Sequence, residues 1–139
     1  MNASVLAQLD KTGPYRLSDK RLEAIKAEAN SLGFPLFIIS PENATSTATW
    51  LQAMGDQLNF PSHYGANFDA LYDCLCDREV TPHPACVLIL SQLEKLGEDA
   101  CDTLIAVLQA VSDEWREQQR PFWALFSASA LDLDPLPQK

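Results

Sequence analysis

Two short apolar runs, CVLIL at Cys86–Leu90 and FWALF at Phe122–Phe126, are separated by one long amphipathic segment. No other feature restricts the fold as much. Neither run alternates apolar with polar residues, so each reads as a strand covered on both faces. Between them, from about Glu98 to Gln118, Cys101, Leu104, Leu108, Val111 and Trp115 recur at helical spacing and mark a core-facing stripe. A strand, a helix and a strand in that order predict parallel strands joined by a crossover.

The rest of the chain repeats the alternation. The run FPLFIIS, Phe34 to Ser40, is short and β-branched, which predicts a buried strand with Pro35 at its beginning. After Pro41 the segment ENATSTAT supplies caps for a helix through Trp50, Leu51, Met54 and Leu58, stopped by Asn59 and Pro61. Upstream, Gly13–Leu17 is a candidate strand. Ser18 is placed to cap a helix whose stripe is Leu22, Ile25, Ala29 and Leu32, ending near Gly33. Thr81–Ala85 (TPHPA) is a loop by its prolines, and the tail from Leu131 is expected to fray. The expected class is α/β: a parallel sheet of three strands, with Gly13–Leu17 as a short fourth, covered by helices.

Charge narrows the function. The formal net charge is −9 with a pI near 4.5. Such a surface repels nucleic acid and anionic membranes and steers basic proteins inward. The start MNASVLAQLDK lacks the basic and apolar regions of a signal peptide, and no apolar run nears the length of a membrane span. The four cysteines, Cys74, Cys76, Cys86 and Cys101, sit in apolar or helical stretches and do not form a disulfide framework. A cytoplasmic protein with reduced thiols, monomeric when free, is expected.

Within Asn59–Asp77, NFPSHYGANFDALYDCLCD, a turn carrying Pro61 and Gly65 leads into a short helix. Phe68, Leu71 and Leu75 share its core face. Asp69 and Asp73 lie four apart on another face beside Tyr72, where like charges cost a helix roughly 0.2–0.5 kcal/mol. Folding gains nothing from Asp73, whereas a cationic partner would. Asn67 is placed to be the N-cap, Gly65 to supply a backbone shape costly for other residues, and Asp77 to widen the acidic patch. His63, Tyr64 and Tyr72 add the aromatic or polar rings typical of binding hot spots.

The run HYGANFDALYDCL resembles the recognition loop and helix of the barstar family, small acidic inhibitors of bacterial ribonucleases. The matches are Tyr64, Gly65, Asn67, Asp69, Ala70, Leu71, Asp73, Cys74 and Leu75. The chain departs at His63, where the family has an aromatic, and at Tyr72, where it has Trp. The resemblance implies that Asp73 enters a ribonuclease active site in place of an RNA phosphate, with Asp69 making a second charged contact. Charge pairs across such interfaces raise association rate and specificity, an effect for which the family's own complex is the reference case. On the long helix, Ala110 and Asp113 fall at the family's second contact region. The resemblance covers about Phe34 to Ala128. It leaves residues 1–33 as an added βα unit packed on the same domain and 129–139 as a tail.

Other chemistries fare worse. The Asp69–Asp73 pair as a catalytic dyad, giving a small hydrolase, needs two unlike environments, and nothing marks one of the pair as buried. Cys74, Cys76, His83 and Cys86 fit no zinc-site spacing, and positions two apart on a helix diverge. No catalytic residue, metal or cofactor is expected. An acidic immunity or adaptor protein of the same fold, bound to a different toxin, stands as the alternative.

Overall fold

The computed structural model describes residues 4–62, 64–127 and 133–138. Among these, β1 (Gly13–Arg16), β2 (Leu36–Ile39), β3 (Cys86–Leu90) and β4 (Phe122–Phe126) form one sheet in the order β1-β4-β3-β2. Every pairing is parallel. The helices are α1 (Asp19–Leu32), α2 (Thr47–Gln57), α3 (Phe68–Cys76) and α4 (Glu98–Glu117), with single 3-10 turns at Val5–Ala7, Leu9–Lys11 and Leu93–Lys95.

The two central strands divide their side chains between two cores, as alternation along a strand requires. Cys86, Leu88, Leu90, Phe122, Ala124 and Phe126 face the layer of α2, α3 and α4. Val87, Ile89, Trp123 and Leu125 face the opposite layer, built by Val5, Leu6, Leu17, Ile25 and Ala29. All five residues of β3 and of β4 are buried, which accounts for their unbroken apolar sequence.

Local signals close the elements. Ser46 and Thr49 form a reciprocal capping box at the start of α2. Gly33 ends α1 at φ 73°, a left-handed geometry favoured in glycine, and its N–H meets the carbonyls of Ala29 and Asn30. Ser18 occupies the N-cap of α1, but its side chain makes no capping bond.

Two expectations need correction. FPLFIIS is not a strand buried on both faces: β2 is an edge strand, and Ile38 is 46% exposed. The tail does not fray over its described part. Arg16 N–H donates to Asp134 O and Leu136 N–H to Arg16 O, both at 2.9 Å. Leu136 is buried in the α1-side core, and the Arg21 guanidinium binds the carbonyls of Leu136 and Pro137. Residues 128–132 lie outside the described residues.

Candidate protein-binding site on the acidic helix

Helix α3 is held at both ends. At its start the Asn67 side-chain carbonyl accepts from Ala70 N–H at 2.8 Å, the N-cap expected from the sequence. At its end two of the carbonyls that a helix leaves unpaired find donors from elsewhere. Thr81 Oγ1 donates to Cys74 O at 2.8 Å, and Trp115 Nε1 of α4 donates to Leu75 O at 2.9 Å. Leu71, Cys74 and Leu75 face the core, so the helix presents its other side outward.

On that outer side Asp69 and Asp73 are exposed. Neither carboxylate has a hydrogen-bond or ion-pair partner among the described residues. Asp69 stands in the first turn, where the helix dipole favours an anion. Asp73, a turn further on, has no such compensation. Phe68, Asp69, Tyr72 and Asp73 of α3 and Thr103, Ala106, Val107 and Ala110 of α4 line one open cleft of about 510 Å³. Ala110 of α4, singled out separately in the sequence, is therefore brought beside Asp69, Tyr72 and Asp73 of α3. The Tyr72 hydroxyl titrates above its ordinary value because of the neighbouring Cys76 first, with burial and the carboxylates of Glu114 and Asp73 adding to it.

Other singled-out residues are placed differently. Tyr64 is not an exposed ring: it is 8% exposed and belongs to the core. Its hydroxyl donates to Leu51 O of α2 at 3.1 Å, and its ring meets Phe60 edge-on at 5.0 Å. Burial, then the Cys74 thiol, pushes its ionisation upward. Gly65 does not supply a left-handed backbone. That geometry belongs to Ala66, at φ 51°. A Cβ on Gly65 would instead lie 3.1 Å from Asn67 Nδ2, crowding the capping amide. Asp77 caps the C-terminus of α3: its side chain accepts from Glu79 N–H at 2.8 Å, and its carbonyl accepts from Val80 and Thr81. Asp113 is ion-paired with Arg116 at 3.0 Å and accepts from Gln109 Nε2 at 3.0 Å. His63 lies outside the described residues.

Sequence reasoning missed the supports of this site. Gly55, inside α2, faces Tyr64 so closely that a Cβ there would be 2.5 Å from Tyr64 Cε2. An isolated glycine within a helical pattern was the available signal. Arg120 is buried, its guanidinium 3.7 Å above the Trp115 ring. It donates to the carbonyls of Thr81 and His83 at 2.7 Å each, fixing the loop that tethers α3. Nothing in a single sequence marks that arginine as buried.

The four cysteines are free thiols. Burial pushes the Cys86 thiol up to about 12, and raises Cys74 and Cys101 too, so these are poor nucleophiles. Among the described residues no helix is long and apolar enough to cross a membrane.

A parallel α/β sheet with a capped acidic helix over one face defines the class of domain. The chain belongs to the barstar family: the model of that family, described as barstar (barnase inhibitor), matches residues 34–127. No curated protein matches the chain. The family is one of inhibitors and not of enzymes, and its partners are ribonucleases.

Proposed function

We propose that this protein inhibits a basic bacterial ribonuclease by setting α3 into its active site. Asp73 takes the place of a substrate phosphate and Asp69 contacts a second cation. Tyr72 and Ala110 line the contact, with Asn67, Gly65 and Asp77 shaping its edges. His63 and Asp113 extend it. Tyr64 contributes by fixing the loop from within. The carrying observation is the pair of exposed carboxylates on one helix face with no partner among the described residues, lining a cleft whose other walls are Phe68, Tyr72, Thr103, Ala106, Val107 and Ala110. An unpaired charge kept on a rigid, capped helix contributes little to folding and is ready for a cation from outside. The net charge of −9 would draw a basic enzyme towards it. Such an inhibitor would act in the cytoplasm, as immunity against a toxin ribonuclease.

The test uses barnase, the enzyme that the family description prints. RNA cleavage is titrated with wild type and with Asp73→Lys. Wild type should block cleavage, while Asp73→Lys should fail with an unchanged circular dichroism spectrum. Equal inhibition by both would sink this mechanism. Tyr72, smaller than the family's Trp, favours a second reading in which the same face serves a different toxin. Absence of inhibition by wild type, with capture of another basic protein that Asp73→Lys loses, would establish that reading instead.

A further inference from the structure

The two edges of the sheet are treated differently. The outer edge of β1 is taken up by the chain's own tail, through the Arg16–Asp134 and Leu136–Arg16 backbone bonds. The outer edge of β2 has no such cover among the described residues. Pro35 O and Ile39 O accept from Val87 and Ser91 on the β3 side. By alternation, the N–H and C=O of Leu36 and Ile38 point away from the sheet.

Exposed edges are normally blunted by lysine, proline, a bulge or a covering segment. The β2 strand, LFII, has none of these within it. Every residue from Ala29 to Pro41 is uncharged, in a chain of net charge −9. The exposed large hydrophobics among the described residues, Leu32 at 38% and Ile38 at 46%, also gather here, one ending α1 and the other within β2. Ile38 is in register with Ile89, whose side chain faces the α1 layer. The acidic cleft of α3 and α4 lies in the opposite layer.

We infer that this edge pairs with the same edge of a second copy, β2 against β2 in antiparallel fashion about a two-fold axis. Charge selects that occupant. Two copies at net −9 repel each other over most of their surfaces, and here they can meet without opposing carboxylates. A basic protein drawn to Asp69 and Asp73 finds no charge to read on this edge. The uncharged strand is complementary to itself, as an isologous interface requires. The four-residue strand makes the contact small, so the dimer is weak and dependent on concentration. It leaves both acidic clefts free, and the monomer expected from the sequence remains the form at low concentration.

Sedimentation velocity between about 1 and about 500 µM tests the inference, a range that spans weak self-association. Wild type should rise from 15.4 kDa towards twice that mass. Ile38→Lys should stay monomeric. Leu32→Lys, at an exposed helix end outside the sheet, should raise the midpoint concentration several-fold, and it carries the test if Ile38→Lys disturbs folding. A wild type that remains at 15.4 kDa throughout, or a dimer untouched by both substitutions, would overturn the inference.

Discussion

Gly55→Ala is the sharpest test of how the recognition loop is held. Alanine in a helix interior is ordinarily better than glycine by about 0.8–1 kcal/mol. Here the new methyl would lie 2.5 and 2.6 Å from Tyr64 Cε2 and Cδ2 and 3.3 Å from Phe60 Cδ2. Tyr64 cannot simply swing aside, because its hydroxyl is bound to Leu51 O and its ring is buried. Keeping the ring in place costs roughly 1–3 kcal/mol of overpacking. Expelling it forfeits roughly 1.5–3 kcal/mol of burial and about 1 kcal/mol of hydrogen bond. The cheaper route, overpacking, still exceeds the helix gain at its midpoint, giving a net loss of about 1 kcal/mol. Urea unfolding, followed by circular dichroism and by tryptophan fluorescence, measures it. The decisive arm is the double-mutant cycle. With Tyr64→Ala already present the clash is gone, and Gly55→Ala should then stabilise by about 0.8 kcal/mol, its ordinary helix value. If Gly55→Ala has the same effect in both backgrounds, the glycine is not there for the tyrosine and this account of the loop is wrong.

Two further outcomes follow from the buried groups. Arg120→Leu should destabilise by about 3 kcal/mol, since it removes charge-assisted bonds to the Thr81 and His83 carbonyls and the contact over Trp115. A loss below about 1 kcal/mol in urea unfolding would contradict the role given to that side chain. Burial raises the Cys86 thiol from its ordinary value near 9 to about 12. Below pH 9 both folded and unfolded chains keep the proton and stability does not depend on it. Above pH 9 the unfolded chain loses the proton first, so stability falls by about 1.4 kcal/mol per pH unit until the folded thiol also ionises. Cys86→Ala should lack this component, which a comparison of unfolding free energies from pH 8 to pH 11 would read.

Much of the architecture was legible because its signals are local or periodic. CVLIL and FWALF had to be strands covered on both faces, and their two-sided burial follows from the layers packed on the two faces of the sheet, α2, α3 and α4 on one and α1 with the N-terminal turn on the other. The N-cap at Asn67 was legible for the same reason: a capping residue acts within its own turn. The place of FPLFIIS was not, because an apolar strand at a sheet edge reads like an apolar strand at its centre. The docked tail was missed because its partners are far away in the chain. Arg16 and Arg21 bind main-chain carbonyls near Leu133 and Leu136, and a carbonyl leaves no mark on the residue type. Tyr64 was read as a partner-binding ring for a related reason. A tyrosine beside acidic residues suits a binding face, and only the glycine at 55 shows that the ring has a slot to enter.

The acidic helix itself explains why so much of its support comes from outside. Asp69 and Asp73 lie one turn apart within the helix, and such a like-charged pair costs it roughly 0.2–0.5 kcal/mol. A helix as short as α3, Phe68–Cys76, is also marginal alone in water. Its position therefore depends on groups that a binding partner need never touch. Asn67 satisfies the first turn, Thr81 and Trp115 take the carbonyls of Cys74 and Leu75, and Arg120 secures the loop that carries Thr81. Tyr64 ties the preceding loop to α2. With both ends fixed from behind, Asp73 needs no internal partner to hold its helix in place. A carboxylate left unpaired on a rigid support meets an incoming cation without first breaking a contact, and little conformational freedom is lost when it does. Charge at the surface and neutral tethers beneath are thus two parts of one arrangement. Removing a tether should weaken partner binding by loosening the helix even though every acidic residue remains.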